Sequence, residues 1–429
     1  MEVEALGPHM NIKIRSQLSV MMFMQFFVWG VWFVTMGTYL FKIGFAGPDI
    51  GKAYSTNCLG AIIAPFFVGM IADRFFSAQK MMGILHIVGG AVLYYASTVT
   101  QPGPLFWVLL VYAALYMPTL ALVNAISFHQ MKDPGSEFPG IRVWGTIGWI
   151  AAGTLVGLVL KKSNPEIESS SVPMLLGAAV SAVLGLYSFF LPATPPKSAG
   201  KQVTVRDVLG LDALALMKDR SFAVLVVSSL LISIPLAFYY NFTNAFLNET
   251  KVVANPAFAQ TFGQWSELGF MILMPFFFRR LGVKKLMLIG MLAWTARYAL
   301  FALGAAGAAP LVYLGILAHG VCYDFFFVTG QIYVDKKAPK QLQAGAQGFI
   351  AMATYGVGMW IGSLVSGMVV QSFTNADGTH RWGQMWYVPS AMALAVTILF
   401  ALVFKDDFKA DAGHAGVGKE ERATASVRA

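Results

Sequence analysis

The sequence predicts an all-α membrane protein of twelve transmembrane helices arranged as two six-helix halves. Three observations lead there. Of 429 residues, 57% are hydrophobic and only 12% charged, about half the charge that a soluble domain carries. Apolar stretches such as Leu18–Phe41, Leu105–Phe128, Val172–Leu191, Leu286–Leu303 and Tyr387–Phe404 match the ~20 residues a helix needs to cross ~30 Å of hydrocarbon. Each is apolar all round, which excludes a soluble amphipathic helix. Finally, one Pro-rich and then charged stretch, PATPPKSAGKQVTVRDVLGLDALALMKDR (192–220), interrupts otherwise short loops.

In chain order, residues 1–9 read as a non-native leader ahead of Met10, with no cleavable signal behind them. Spans are expected at 17–41, 50–72, 81–99, 104–128, 141–160 and 172–191, which makes residues 10–191 the first bundle. Residues 192–220 form a linker ending in a short amphipathic surface helix. The second bundle, residues 221–404, holds spans at 221–247, 257–278, 286–303, 309–334, 343–371 and 384–404. Residues 405–429 form a tail.

The net charge of +9 finds its explanation in topology, not in nucleic-acid binding. With both termini inside, the internal segments hold 22 of the Lys and Arg residues and the external ones 6. That bias places both ends in the cytoplasm. Cys58 and Cys322 both fall within spans, so no disulfide framework is legible. There is no phosphate-binding G-x-x-x-x-G-K-[ST] loop, no Cys/His metal cluster and no G-x-S-x-G elbow. ATP-driven transport and hydrolytic catalysis lose their machinery, and no cofactor or metal is expected.

The halves repeat one another weakly. Pro65-Phe66-Phe67 with Asp73, Arg74 and Lys80 aligns with Pro275-Phe276-Phe277 followed by Arg279, Arg280, Lys284 and Lys285. Parallel six-span halves suit a midplane site between them. The turn carrying Gly69, Asp73 and Arg74 reads either as a gate, whose carboxylate and base pair with a helix end in one state, or as positive-inside anchoring.

Charges at bilayer depth need a reason, since each costs at least about 2.5–3.5 kcal/mol. Glu267 lies in the eighth span, with Gln264 three residues earlier on the same face. Asp324 lies in the tenth span beside His319 and Tyr323. Arg142 opens the fifth span, and Thr146 and Trp149 follow along one stripe. The seventh span offers Tyr239, Tyr240, Asn241 and Asn244 after Pro235, a kink candidate. Two explanations stand side by side: Glu267 and Asp324 pair structurally with Arg142 or Arg297, or the set converges on one cavity. In the second case carboxylates and amides would bind hydroxyls and base edges while rings stack. A desolvated carboxylate would then carry a coupled proton. His86 and Asn124 read as helix-packing residues, and Arg297 as a snorkelling or interhelical residue.

Segments in both halves resemble the nucleoside:proton symporter family, a branch of the major facilitator superfamily. They are QFFVWGVWFVTMGTYL (25–40), ADRFFSAQK (72–80), YMPTLALVNAISF (116–128), FPGIRVWGTIGWI (138–150), VLGLDALALMKD (208–219), GQWSE (263–267) and HGVCYDFFFVTGQIYVDKKAP (319–339). The resemblance implies the major facilitator fold and a multi-pass importer of the bacterial inner membrane that moves nucleosides with protons. It also implies a monomer in the lipid bilayer, and nucleoside contacts from Arg142, Thr146, Trp149, Gln264, Glu267, Tyr323 and Asp324. The sequence departs from the family at Ala237 and Tyr240, where members carry a nucleoside-binding Gln and Asn, and at His319, where they carry Tyr. Asn241 or Asn244 could substitute. Symport of another polar solute, such as a sugar or peptide, shares this architecture, and a non-transporting receptor is the alternative of another class.

Overall fold

The computed structural model describes residues 10–67, 76–196, 211–340 and 342–405. Gly69, Asp73 and Arg74 lie outside the described residues, as do residues 197–210 of the 192–220 linker. Among the described residues the architecture is all-helical, with one isolated bridge between Thr374 and His380. Eight helical segments among the described residues are long and apolar enough to cross a membrane.

The first half of the chain builds α1 (Ile12–Phe33), α2 (Met36–Lys42), α3 (Gly47–Phe67), α4 (Ala78–Ala96), α5 (Pro102–His129), α6 (Pro139–Thr154) and α7 (Val172–Ser188). The second half builds α8 (Arg220–Thr250), α9 (Pro256–Gly304), α10 (Ala309–Tyr323), α11 (Thr329–Lys337), α12 (Gln343–Ala351), α13 (Met359–Ser372) and α14 (Trp382–Val403). A π-helical turn, Leu155–Val159, continues α6. Another, Asp324–Val328, joins α10 to α11, and a third, Met352–Gly358, joins α12 to α13.

Local chemistry explains several of these boundaries. Asp219 caps α8 by accepting a hydrogen bond from the Phe222 amide at 2.9 Å, the usual use of an N-cap carboxylate. Pro235 lies inside α8, and its carbonyl accepts the Tyr298 hydroxyl at 2.5 Å. The long α9 turns back on itself at Gly282, whose φ of 69° and ψ of 176° suit only a residue without a Cβ. That break falls in the gap expected between the spans at 257–278 and 286–303. Leu211–Lys218, at the end of the linker, forms a 3₁₀ helix with Ala213 buried and Leu214 exposed.

Packing follows a membrane logic. Ile272 and Leu402 are 79% and 78% exposed, and many other large apolar side chains also face outward, the reverse of a soluble surface. Inside, several polar groups are hydrogen-bonded from helix to helix. His86 joins Ser181 Oγ at 3.0 Å and Gln25 Oε1 at 2.8 Å, while the Gln25 amide donates to Thr119 at 2.7 Å. The helix-packing role expected for His86 is therefore met.

One end of the bundle joins the two halves of the chain. Glu168, which follows the π turn of α6, is buried with only 1% of its side chain exposed. It accepts hydrogen bonds from Asn244 Nδ2 at 2.8 Å, Asn248 Nδ2 at 3.1 Å and the Ala257 amide at 3.1 Å. Lys161 closes the cluster from Glu168's own side at 2.9 Å. Nearby, Thr38 donates to Asn244 Oδ1 at 2.5 Å. On the neighbouring face Gly47 and Gly367 approach so closely that a Cβ on either would run into the other's carbonyl.

Candidate functional site

The site grows from four helices. The stripe on α6 places Arg142, Thr146 and Trp149 half-buried on one face. The Arg142 guanidinium lies over the Phe26 ring, 4.4 Å from its centroid. Trp149 packs edge-on against Trp29 at 5.5 Å. A small cavity between the halves is lined by Trp149 and Thr35 on one wall and by Gln260 and Gln264 on the other. Two residues singled out in the sequence, Trp149 and Gln264, thus meet across the interface.

One turn beyond Gln264, the Glu267 carboxylate lies 3.7 Å from His319 Nε2. His319 is 1% exposed and sits in an aromatic box. Tyr239 stacks on it at 5.4 Å, Tyr240 meets it edge-on at 6.4 Å, and Tyr323 lies 5.8 Å away. The Tyr323 hydroxyl is hydrogen-bonded to the Tyr355 hydroxyl. Phe33 faces Tyr240 from α1 at 6.4 Å.

Asp324 is wholly buried, and neither carboxylate oxygen has a hydrogen-bond partner among the described residues. It opens a π-helical turn, a local widening of the helix found often at functional positions. An ionised carboxylate held that way is strongly disfavoured. Asp324 directly follows Tyr323 of the aromatic box in the chain.

Not every candidate joins this group. Asn241 donates to Ser366 at 3.2 Å on the α13 side. Asn244 is engaged by Thr38, Glu168 and Gln260 in the end cluster. Conversely, Tyr355 enters from the π turn before α13, where sequence alone marked nothing. Arg297 is a second addition. Wholly buried, it reaches His319 Nδ1 at 3.0 Å; it is interhelical and does not snorkel.

Comparison with known proteins shows the family to which the chain belongs. The model of the nucleoside H+ symporter family matches residues 10–409. The chain belongs to that family. The symporter is 41% identical to the Escherichia coli protein YegT over 92% of this chain and 95% of that one. It is 35% identical to the E. coli xanthosine permease, over 92% and 96% of the two chains. The crystal structure of the nucleoside transporter NupG superposes on the symporter with a TM-score of 0.83 at 34% identity, covering 92% of this chain and all of that one. The likeness establishes the major facilitator-like fold, and family membership makes the symporter a transporter, not an enzyme.

Proposed function

We propose that the symporter takes up nucleosides together with protons by alternating access, binding its substrate midway between two six-helix halves. The observation that carries this reading is the cavity where Trp149 and Gln264 meet between the halves, with Glu267, His319 and Tyr323 clustered one turn beyond Gln264. Twelve spans follow if α1 with α2, α10 with α11 and α12 with α13 each count as one and α9 as two, parted at Gly282. The domain limits are then residues 10–191 and 221–404. Both termini lie in the cytoplasm, the membrane is the bacterial inner membrane, and the protein works as a monomer.

In this scheme Trp149 and Tyr240 stack on the base, because a nucleobase presents a π face. Gln264 and Glu267 bind hydroxyl groups or base edges, with Arg142, Thr146, His319 and Tyr323 completing the wall. Asn241 and Asn244 become available only in a state that releases their present partners. Asp324 carries the proton, with Glu267 as the other carrier. A buried carboxylate is neutral when protonated, so loading it removes the charge that opposes rearrangement. The turn of Gly69, Asp73 and Arg74 gates the cytoplasmic side. The Glu168 cluster then seals the outer end, leaving the site to exchange with the cytoplasm.

Uptake of radiolabelled uridine and adenosine into proteoliposomes tests the whole scheme. An inward proton gradient should drive accumulation that a protonophore abolishes. If neither nucleoside enters while an unlabelled sugar or peptide competes for the site, the substrate belongs to another class of polar solute.

A further inference from the structure

We propose that Arg297 is a positioning residue for substrate recognition, acting on Glu267 through His319. Arg297 lies on the part of α9 after Gly282 and is wholly buried, with its guanidinium 3.4 Å from the centre of the Tyr239 ring. It reaches His319 Nδ1 at 3.0 Å. A guanidinium only donates hydrogen bonds, so Nδ1 must offer its lone pair. The single ring proton then sits on Nε2, because the partner of one nitrogen sets the state of the other. Nε2 is the atom that faces Glu267 Oε2 at 3.7 Å, one small side-chain movement from a hydrogen bond.

Two consequences follow from that geometry. His319 acts as a fixed neutral donor: an imidazolium would set an N–H against the guanidinium N–H. It is thereby excluded as the carried-proton site, which leaves the carboxylates. Glu267 also faces the His319 Nε2–H at 3.7 Å, so one small movement orients its carboxylate before substrate arrives. Preorganisation of this kind spares the ligand the cost of ordering its partner. Tyr239 packs against both the guanidinium and the imidazole and supports their pairing. Arg297 itself touches no substrate in this arrangement.

The inference rests on Glu267 contacting the nucleoside, and a double-mutant cycle tests it. KM and Vmax for uridine and adenosine would be measured in proteoliposomes for Arg297→Gln, His319→Phe and the double variant. Each single change should raise KM about tenfold, the loss of one hydrogen bond to a charged group, with little change in Vmax. The double variant should be no worse than either single one, because Arg297 acts only through His319. Arg297→Lys, which keeps a buried donor, should recover part of the affinity. Losses that multiply in the double variant would overturn the proposal, as would an unchanged KM in His319→Phe. Should Arg297→Gln fail to fold, the same comparison runs on Arg297→Lys with His319→Phe. Glu267→Gln separates the two levels: if it leaves KM unchanged, the site assignment fails. If it raises KM while the Arg297 and His319 variants do not, only this inference fails.

Discussion

Glu168 accepts a 2.8 Å hydrogen bond from the side-chain amide of Asn244 across 76 residues of sequence. The bond is one of three that tie a buried carboxylate of the first half to α8 and the start of α9 in the second. Removing the charge should therefore weaken closure at that end more than it weakens either half. Glu168→Gln is expected to shift the equilibrium toward the opposite-facing state by about 2 kcal/mol, roughly thirtyfold. A cysteine placed at Thr35, which lines the cavity beneath the cluster, should then react faster with a membrane-impermeant maleimide added outside. Equal labelling rates in the two backgrounds would sink the latch.

The two carboxylates should separate by assay. Asp324→Asn cannot release a proton, so gradient-driven accumulation should fall at least about tenfold while nucleoside counterflow persists. Glu267→Gln, changed at a group proposed to touch the substrate, should raise KM in both assays. Intact gradient-driven uptake in both variants would remove the proton from this site.

Trp149 shares the interface cavity with Gln264. If it stacks on the base, Trp149→Ala should cost about 1–3 kcal/mol of binding, seen as a roughly tenfold or larger rise in KM. Trp149→Phe should retain most of the affinity. Because any base offers a ring face, uridine and adenosine uptake should suffer alike.

The spans and the break near Gly282 were legible because hydrophobic length and a glycine without a Cβ constraint are local properties. Trp149, Gln264, Glu267, His319 and Tyr323 were legible as costly polar or aromatic groups at bilayer depth. What chain order could not supply was which helix faces which. Glu168 lay in an expected loop, where an acidic residue ordinarily meets solvent, and its burial depends on asparagines of the other half. Tyr355 looked like one more aromatic until its hydroxyl met Tyr323. Arg297 gave no hint of His319, 22 residues further on. The π turns leave no mark in composition, so the exposure of Asp324 to a partner-free interior was not readable.

Outside the membrane, Asp219 supplies a pH-dependent clamp. Partial burial pushes its carboxyl up, but the Lys337 ammonium and the Phe222 and Ser221 amides outweigh that and hold it below its usual range. Lys337 Nζ lies 2.9 Å from Asp219 Oδ2. A depressed folded-state value means the contribution is present above the unfolded value, near pH 4, and fades as pH falls through the folded one. Asp219→Ala should lower stability by about 1 kcal/mol at neutral pH, and Asp219→Asn by less, since an amide oxygen still caps the helix. Thermal unfolding of detergent-solubilised protein should show the gap between wild type and Asp219→Ala narrowing at acid pH.

Where Gly47 meets Gly367, the two halves touch through main-chain atoms. Burying a long side chain at an interface freezes rotamers at up to about 1.5–2 kcal/mol each, whereas glycine has none to freeze. That main-chain contact freezes no rotamer of its own; beside it the Gly47 amide donates to Gln371 Oε1 at 3.0 Å, a side chain that parting of the halves would release. Backbone already held by its own helix is a hard, reusable surface, and each cycle returns it to the same fit. The glycines therefore favour speed and repeatability, leaving the strength of closure to the Glu168 cluster beside them.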